Sequence, residues 1–329
     1  MILQDTCSDG SHSVESLSSW MQRIQPGKAC KVPQQSSENG CQYDITDCLP
    51  EHVVQYQGVN SKVAGPNCWN LALVMGKILP NLRYSSPEEM AFYMRPPLCR
   101  QLKDGENRQA GDIGAIRGMA WGLPIEETHG FVYVSEKMVY SKNGTQKEAP
   151  YSLQSMDAMY DSYGVQNKKS CRKNEIPKGD MDCIQAVAYF RCDSMDDYLK
   201  KNKNISPKIK NLEHDIRSRE RCLEASEFSG QTLSDSNLRD IQRVSGALAY
   251  YLEDLKKNNK INKLSEGDRF MVGGLQLRLQ SIADQLSALK DNLNNSEHQK
   301  ANNLPQAFDN AIHTLDTNNT KAAENNEAE

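Results

Sequence analysis

Ten cysteines are spread along this chain of 329 residues, and no two of them form a CxxC pair. That spacing is not typical of a zinc ribbon or a thioredoxin motif, so we expect no metal site. Scattered cysteines in a polar chain favour disulfides, which persist in oxidising compartments. We therefore predict a secreted or periplasmic protein whose leader is absent from this sequence; the alternative is a cytosolic protein with reduced, buried thiols. The cysteines are Cys7, Cys30, Cys41, Cys48, Cys68, Cys99, Cys171, Cys183, Cys192 and Cys222.

Charge and hydrophobicity exclude several kinds of partner. The formal net charge is −4, so nothing points to nucleic acid or an anionic membrane. No run of about 18 apolar residues occurs, and we expect no membrane span. The length allows two domains, and no motif indicates a cofactor.

The residue pattern divides the chain into five parts. Residues 1–50 are rich in Ser, Gln and Gly and predict a loop-rich N-terminal arm. Residues 51–195 carry a mixed pattern of helices and strands, which makes the fold class α+β. A charged linker, 196–205, precedes a predicted antiparallel helical hairpin at 206–294. Residues 295–329 are Asn-, Ala- and Glu-rich, and this composition predicts a disordered tail.

Two apolar stripes carry the hairpin prediction, because leucines and isoleucines recur at spacings of three and four residues. Such a seam indicates structural packing, and the resulting helix pair could dock a protein partner. The stripes are Leu238, Ile241, Leu248, Leu252 and Leu255, followed by Leu275, Leu279, Ile282, Leu286, Leu289 and Leu293.

Within the mixed region, turn and cap residues predict the order of the elements. Asn67 is a good N-cap for a helix that runs to about Leu79, and Ser86-Pro87-Glu88-Glu89 is a capping box. The strand predictions are a strand entered at 111–116, a hairpin of 129–134 and 138–142, and a buried strand at 184–190.

Cys68 is the candidate nucleophile because it lies in the first turn of the predicted helix, in Gly65-Pro66-Asn67-Cys68-Trp69-Asn70. The positive end of the helix dipole there lowers a thiol pKa and favours the reactive thiolate. The alternative is a core or disulfide cysteine. Because nine cysteines remain once Cys68 is set aside, at least one other thiol should be unpaired.

His129 is the candidate general base, since a thiolate nucleophile needs a proton acceptor. We expect it to open the strand Thr128 to Val134 and to come within hydrogen-bond reach of Cys68. If the hairpin turns about Glu136, paired positions sum to about 272 and Asn143 faces His129. Asn143 is therefore the candidate group that orients the imidazole, with Ser141 as the alternative.

The order of these features resembles the NlpC-type cysteine peptidases and their CHAP amidase relatives, over residues 56–145. Gly111-Asp112-Ile113 resembles the strand entry of that family, and His129-Gly130-Phe131-Val132-Tyr133 resembles its histidine strand. Tyr56 precedes Cys68 at the spacing of a family active-site tyrosine. The family usually has Asp-Cys-Ser-Gly at the nucleophile, whereas Trp69 follows Cys68 here.

The resemblance implies a papain-like cysteine hydrolase domain at 51–195 that cleaves amide bonds, most often in peptidoglycan stem peptides. Cys68, His129 and Asn143 would be catalytic, with Tyr56 and Trp69 as substrate-binding or oxyanion residues. Two alternatives remain open at this stage. One is a non-catalytic binding module on the same fold; the other is an acyltransferase that uses the same thioester.

Overall fold

The computed structural model describes residues 1–293 except 6, 26, 29, 31, 33, 38–39, 61–64, 147, 168–170, 173–182, 230–234, 259 and 261–262. The predicted tail at 295–329 lies outside these residues. The chain divides into two compact units. The first consists of the described residues of 1–61, 66–80 and 90–198, and the second of those of 62–65, 81–89 and 199–329.

The first unit is built on a six-stranded antiparallel sheet, which makes its fold mixed α+β. The strand order is β4-β9-β5-β6-β7-β8. The strands are β4 (Cys99–Gln101), β5 (Ile113–Ala120), β6 (Leu123–Tyr133), β7 (Met138–Lys142), β8 (Tyr151–Ser155) and β9 (Gln185–Cys192). Helix α3 (Cys68–Met75) packs against β6 and β7. The predicted buried strand at 184–190 corresponds to β9 and is buried over most of its length.

Helix α3 is shorter than the predicted helix, because Gly76 ends it and turns follow up to Pro80. The capping box at the start of α4 (Pro87–Tyr93) is half formed. Ser86 Oγ accepts the amide of Glu89 at 3.1 Å, whereas the Glu89 carboxylate pairs with Arg83 instead of reaching back to Ser86.

The predicted hairpin of β6 and β7 is present with the predicted register. Val132 lies opposite Tyr140 and Tyr133 opposite Val139, so the paired positions sum to 272. Strand β6 begins earlier than expected, at Leu123, because Trp121 and Gly122 both have positive φ and form a tight turn after β5. His129 therefore lies inside β6 and does not open it.

The predicted loop-rich arm at 1–50 contains regular structure, and that prediction is corrected. Helix α1 (Cys7–Ile24) packs against a small sheet of β1 (Ile2–Asp5), β2 (Gln34–Ser37) and β3 (Gly40–Asp44), in the order β1-β3-β2. A helix α2 (Glu51–Tyr56) follows. Two disulfides, Cys7–Cys41 and Cys30–Cys48, hold together a segment whose composition alone suggests loops.

Eight of the ten cysteines form disulfides, which confirms the prediction from their number and spacing. Besides the two in the N-terminal segment, Cys99–Cys192 joins β4 to β9, and Cys171–Cys183 links two residues 12 positions apart ahead of β9. The free cysteines are Cys68, which is buried, and Cys222, which is partly exposed. One cysteine other than Cys68 is thus unpaired, as the odd count required.

The second unit contains three long helices where we predicted a two-helix hairpin. They are α7 (Pro207–Ser229), α8 (Asp235–Lys257) and α9 (Glu266–Leu293), and α7 packs against both of the others. The predicted linker at 196–205 contains a short helix, α6 (Met195–Lys201). The prediction left α7 out of the packed pair, because the inward face of α7 is partly charged and breaks the leucine stripe on which the prediction relied.

The charged face of α7 enters a buried ion-pair network. Glu220 is fully buried and accepts hydrogen bonds from the guanidinium groups of Arg83 and Arg278. Arg83 also pairs with Glu89, and Arg278 pairs with Glu213. Since each buried charge faces an opposite charge, the carboxylate of Glu220 keeps a pKa below its ordinary value despite burial.

None of the helices in the described part of the chain combines the length and apolar character needed to cross a membrane.

Candidate active site

The cap of helix α3 fixes the position of Cys68. Asn67 adopts an extended conformation, and its side-chain oxygen accepts the backbone amide of Asn70 at 3.0 Å. This N-cap, predicted from the sequence, starts the helix at Cys68. The thiol therefore lies at the amino end of α3, where backbone N–H groups point out of the helix.

Three backbone amides are directed at the Cys68 sulfur, those of Gly130, Trp69 and Cys68 itself. Gly130 belongs to β6, so the thiol lies where the helix end meets the strand. A Cβ built at Gly130 would lie 3.2 Å from the Cys68 carbonyl oxygen and 3.3 Å from the Trp69 Cα. Glycine therefore suits this position, because a side chain would force α3 and β6 apart by a few tenths of an ångström, and the amide of Gly130 lies close enough to act on the Cys68 pKa.

Burial controls the protonation of Cys68 more strongly than the helix end does. Burial raises the pKa of the Cys68 thiol to about 11, although the three amides and the charge of Lys142 act to lower it. The expectation of a lowered pKa from the helix dipole is therefore wrong for the unliganded protein. Cys68 is a neutral thiol at neutral pH.

His129 follows directly on a β-bulge in β6. Ile116 of β5 pairs with His129 and Arg117 with Glu127, which leaves Thr128 as the extra residue. Bulges change the direction of neighbouring side chains and are common next to active sites. The imidazole of His129 stacks on the ring of Tyr163, with centroids 4.0 Å apart and planes within 19°.

The imidazole of His129 is fully buried, and burial lowers its pKa to about 3. Neither ring nitrogen has a hydrogen-bond partner among the described residues. The expected hydrogen bond between Cys68 and His129 is thus absent in this state. The residue after His129 is Gly130, whose Cβ position faces the backbone of Cys68 and Trp69 on the α3 side of β6. Successive residues of a strand point to opposite faces, so the imidazole of His129, like the ring of Phe131, lies on the face away from α3.

Asn143 does not orient His129, so that prediction is corrected. Its side chain is exposed and hydrogen-bonds Gln154 and Ser141. Strand β7 ends at Lys142, and Asn143 lies just past the strand end on the side of β8. The alternative, Ser141, is buried and accepts a hydrogen bond from Gln154.

Tyr56 and Trp69 have different surroundings. The centre of the Tyr56 ring lies 5.8 Å from that of Tyr151. The pKa of Tyr140 is raised mainly by burial, and to a smaller extent by its electrostatic interaction with Tyr56. Trp69 is half-buried beside Cys68, and its indole nitrogen is buried without a partner in the described part of the chain.

Two residues near Cys68 were missed by the sequence reasoning. Tyr163 follows α5 (Met156–Ser162), and burial first, then the neighbouring Cys68, raises its pKa. No motif marks it. Lys142 could have been found, because the predicted register places it opposite Gly130.

The amino end of α3 offers a buried thiol among backbone amides, and a buried imidazole follows the bulge of β6 on the other face of that strand. No group of three or more His, Cys, Asp or Glu side chains in the described residues could hold a metal ion. No protein-family model, curated protein or solved structure is significantly similar to the chain.

Proposed function

We propose that the protein is an exported cysteine peptidase or amidase of the papain-like, NlpC-type class, acting on an amide bond in peptidoglycan stem peptides. One observation carries the proposal. Cys68 is the cysteine of the first unit that no disulfide uses, and its sulfur faces three backbone amides at the amino end of α3. A buried imidazole lies one residue from one of those amides, that of Gly130.

In the proposed reaction the Cys68 sulfur attacks the carbonyl carbon of the amide while its proton passes to His129. The tetrahedral intermediate places its negative oxygen near the amino end of α3, where the backbone amide of Cys68 can donate to it. His129 then gives the proton to the leaving amine, the C–N bond breaks, and a thioester remains. Water, deprotonated by His129, attacks the thioester and releases the acid and the free thiol.

The protonation states fit a thiol and a neutral imidazole at rest. With a pKa of about 11 for Cys68 and about 3 for His129, a resting thiolate–imidazolium pair is disfavoured. The proton therefore moves only during the attack. The imidazole is stacked on Tyr163, on the face of β6 opposite to the one that α3 covers. The proposal therefore requires β6 to rearrange at the bulge beside His129, and we place this movement at substrate binding.

A second candidate is a non-catalytic binding module on the same fold. The missing hydrogen bond between Cys68 and His129 and the raised pKa of the thiol favour it. In that case the helices of the second unit would dock a protein partner. An acyltransferase shares the first half of the proposed reaction and differs only in the acceptor of the acyl group.

The test uses the full chain with Cys222→Ser as background, so that Cys68 is the single free thiol. Purified muropeptides are incubated with this protein and with its Cys68→Ser and His129→Ala variants, and products are identified by mass spectrometry. We expect the background protein to cleave an amide, Cys68→Ser to lose turnover without losing stability, and His129→Ala to be comparably inactive.

Each result has a defined meaning. Products that carry a new acyl acceptor in place of water would identify the acyltransferase. A Cys68→Ser variant that cleaves as fast as its background would refute the thioester mechanism. No cleavage, together with no labelling of Cys68 by a thiol-reactive amide probe, would favour the binding module.

A further inference from the structure

Lys142 is a fully buried lysine at the end of β7. Its ammonium group donates to the backbone carbonyls of Gly144 at 3.1 Å and Gln146 at 2.8 Å. Tyr151 of β8 pairs with Lys142, and the centre of its ring lies 5.8 Å from the Lys142 Nζ. Burying an ammonium is costly, so a lysine in such a place has a role that an apolar residue would not fill.

The hairpin register places Lys142 on the same side of the sheet as Cys68. Val132 of β6 pairs with Tyr140 of β7. Because the strands are antiparallel, Gly130, two positions before Val132, and Lys142, two positions after Tyr140, fall at matching places. Side chains at such positions point to one face of the sheet. The face is the one covered by α3, since a Cβ at Gly130 would touch the backbone of Cys68 and Trp69.

Three other titratable groups in this part of the described structure, His129, Tyr163 and Tyr140, carry no charge at neutral pH. From β6, His129 has a pKa of about 3 and is neutral. After α5, Tyr163 has a raised pKa and keeps its proton. Around Lys142 itself, Tyr140 has a raised pKa as well. The ammonium of Lys142 acts to lower the pKa of Cys68, in opposition to burial.

We infer that Lys142 is a positioning residue that holds a fixed positive charge beneath the amino end of α3 and stabilises the Cys68 thiolate as it forms. Its catalytic use rests on the proposed function. Its effect on the thiol does not, because ionisation of Cys68 can be measured without any substrate. The carbonyls of Gly144 and Gln146 anchor the ammonium group, so the charge does not need the substrate to bring it into place.

The experiment measures the rate of Cys68 alkylation by iodoacetamide against pH, in the Cys222→Ser background. Lys142→Gln removes the charge and keeps a donor for the two carbonyls, and Lys142→Arg keeps the charge. We expect Lys142→Gln to shift the midpoint of the profile to higher pH and to slow alkylation at neutral pH about three- to tenfold. Lys142→Arg should restore most of the rate.

The pH profile separates charge from structure. If Lys142→Gln acts through its charge, the pH at which the alkylation rate is half-maximal changes. If it acts by changing access of the reagent to the thiol, the maximal rate at high pH changes and the midpoint stays in place. A second readout, the ultraviolet absorbance of the thiolate taken as a difference from the matching Cys68→Ser protein, needs no reagent to reach the site. An unchanged midpoint in Lys142→Gln by both methods would overturn the inference, even if the wild type hydrolyses muropeptides. A shifted midpoint in a protein that cleaves nothing would uphold it and refute the proposed function.

Discussion

The backbone amide of Gly130 is directed at the Cys68 sulfur, and a Cβ at Gly130 would lie 3.2 Å from the Cys68 carbonyl oxygen. The histidine strand and the cysteine helix are therefore in direct backbone contact. This contact joins Cys68 and Gly130 although 62 positions separate them in the sequence (130 minus 68), and it leaves the side chain of His129 on the opposite face of β6.

Gly130→Ala should destabilise the protein by about 1–2 kcal/mol, because the added methyl group overlaps the backbone of α3 and the Met90 side chain. Urea unfolding measures the change. Gly246→Ala in α8 is the control, since a Cβ there meets nothing within 4 Å. That substitution should leave stability unchanged or raise it by about 0.5–1 kcal/mol. Equal effects of the two variants would contradict the close approach of α3 and β6.

The buried imidazole of His129 should make stability depend on pH. Its folded pKa of about 3 lies below the unfolded value near 6.5, so the unfolded state binds the proton first. Stability is therefore lost as the pH falls from about 6.5 towards 3, by at most about 1.4 kcal/mol per pH unit from this group.

His129→Phe isolates this contribution, since phenylalanine keeps the stacking on Tyr163 and cannot take up a proton. The difference in unfolding free energy between wild type and variant should change steadily between pH 6.5 and 4 in urea titrations. A difference that stays constant over this range would mean that His129 is solvated in the folded protein.

The ion pairs of α7 should distinguish the three-helix second unit from a two-helix hairpin. Arg278→Met leaves Glu220 with Arg83 alone and removes the buried one of the two arginines that pair with Glu213, so we expect a loss of about 3–5 kcal/mol. Arg217→Met is the matched control, because Arg217 also pairs with Glu213 but is partly exposed. It should cost less than about 1 kcal/mol. Similar losses in both variants would mean that the network is open to water.

The sequence was most informative where local chemistry determines structure. The Asn67 cap, the Ser86 hydroxyl at the start of α4 and the hairpin register follow from residues close together in the chain. The pairing of most cysteines followed from their number. The packing of α7 was not predicted, because its buried face carries Glu213 and Glu220, whose partners Arg83 and Arg278 lie far away in sequence.

The environment of the site was harder to predict, since burial is a property of the assembled fold. The pKa of Cys68 depends on how completely β6, β7 and α3 exclude water, and the dipole of α3 is the smaller effect. Tyr163, which covers His129, comes 34 positions later in the chain, from a segment without a recognisable motif (163 minus 129). By contrast, the register of the hairpin correctly predicted that Asn143 lies at the end of β7. It could not show that the Asn143 side chain hydrogen-bonds Gln154.

Tyr163, and not Asn143, should control the state of His129. Tyr163→Ala removes the ring that stacks on the imidazole, so water reaches His129 and its pKa should rise from about 3 towards 6.5. Tyr163→Phe keeps the stacking and should leave that pKa low. Asn143→Ala should have no effect, because Asn143 hydrogen-bonds Gln154 and Ser141. Nuclear magnetic resonance titration of the imidazole protons, assigned by comparison with His129→Phe, measures all three. If Asn143→Ala raised the pKa of His129 and Tyr163→Ala did not, Asn143 and not Tyr163 would control the state of the imidazole.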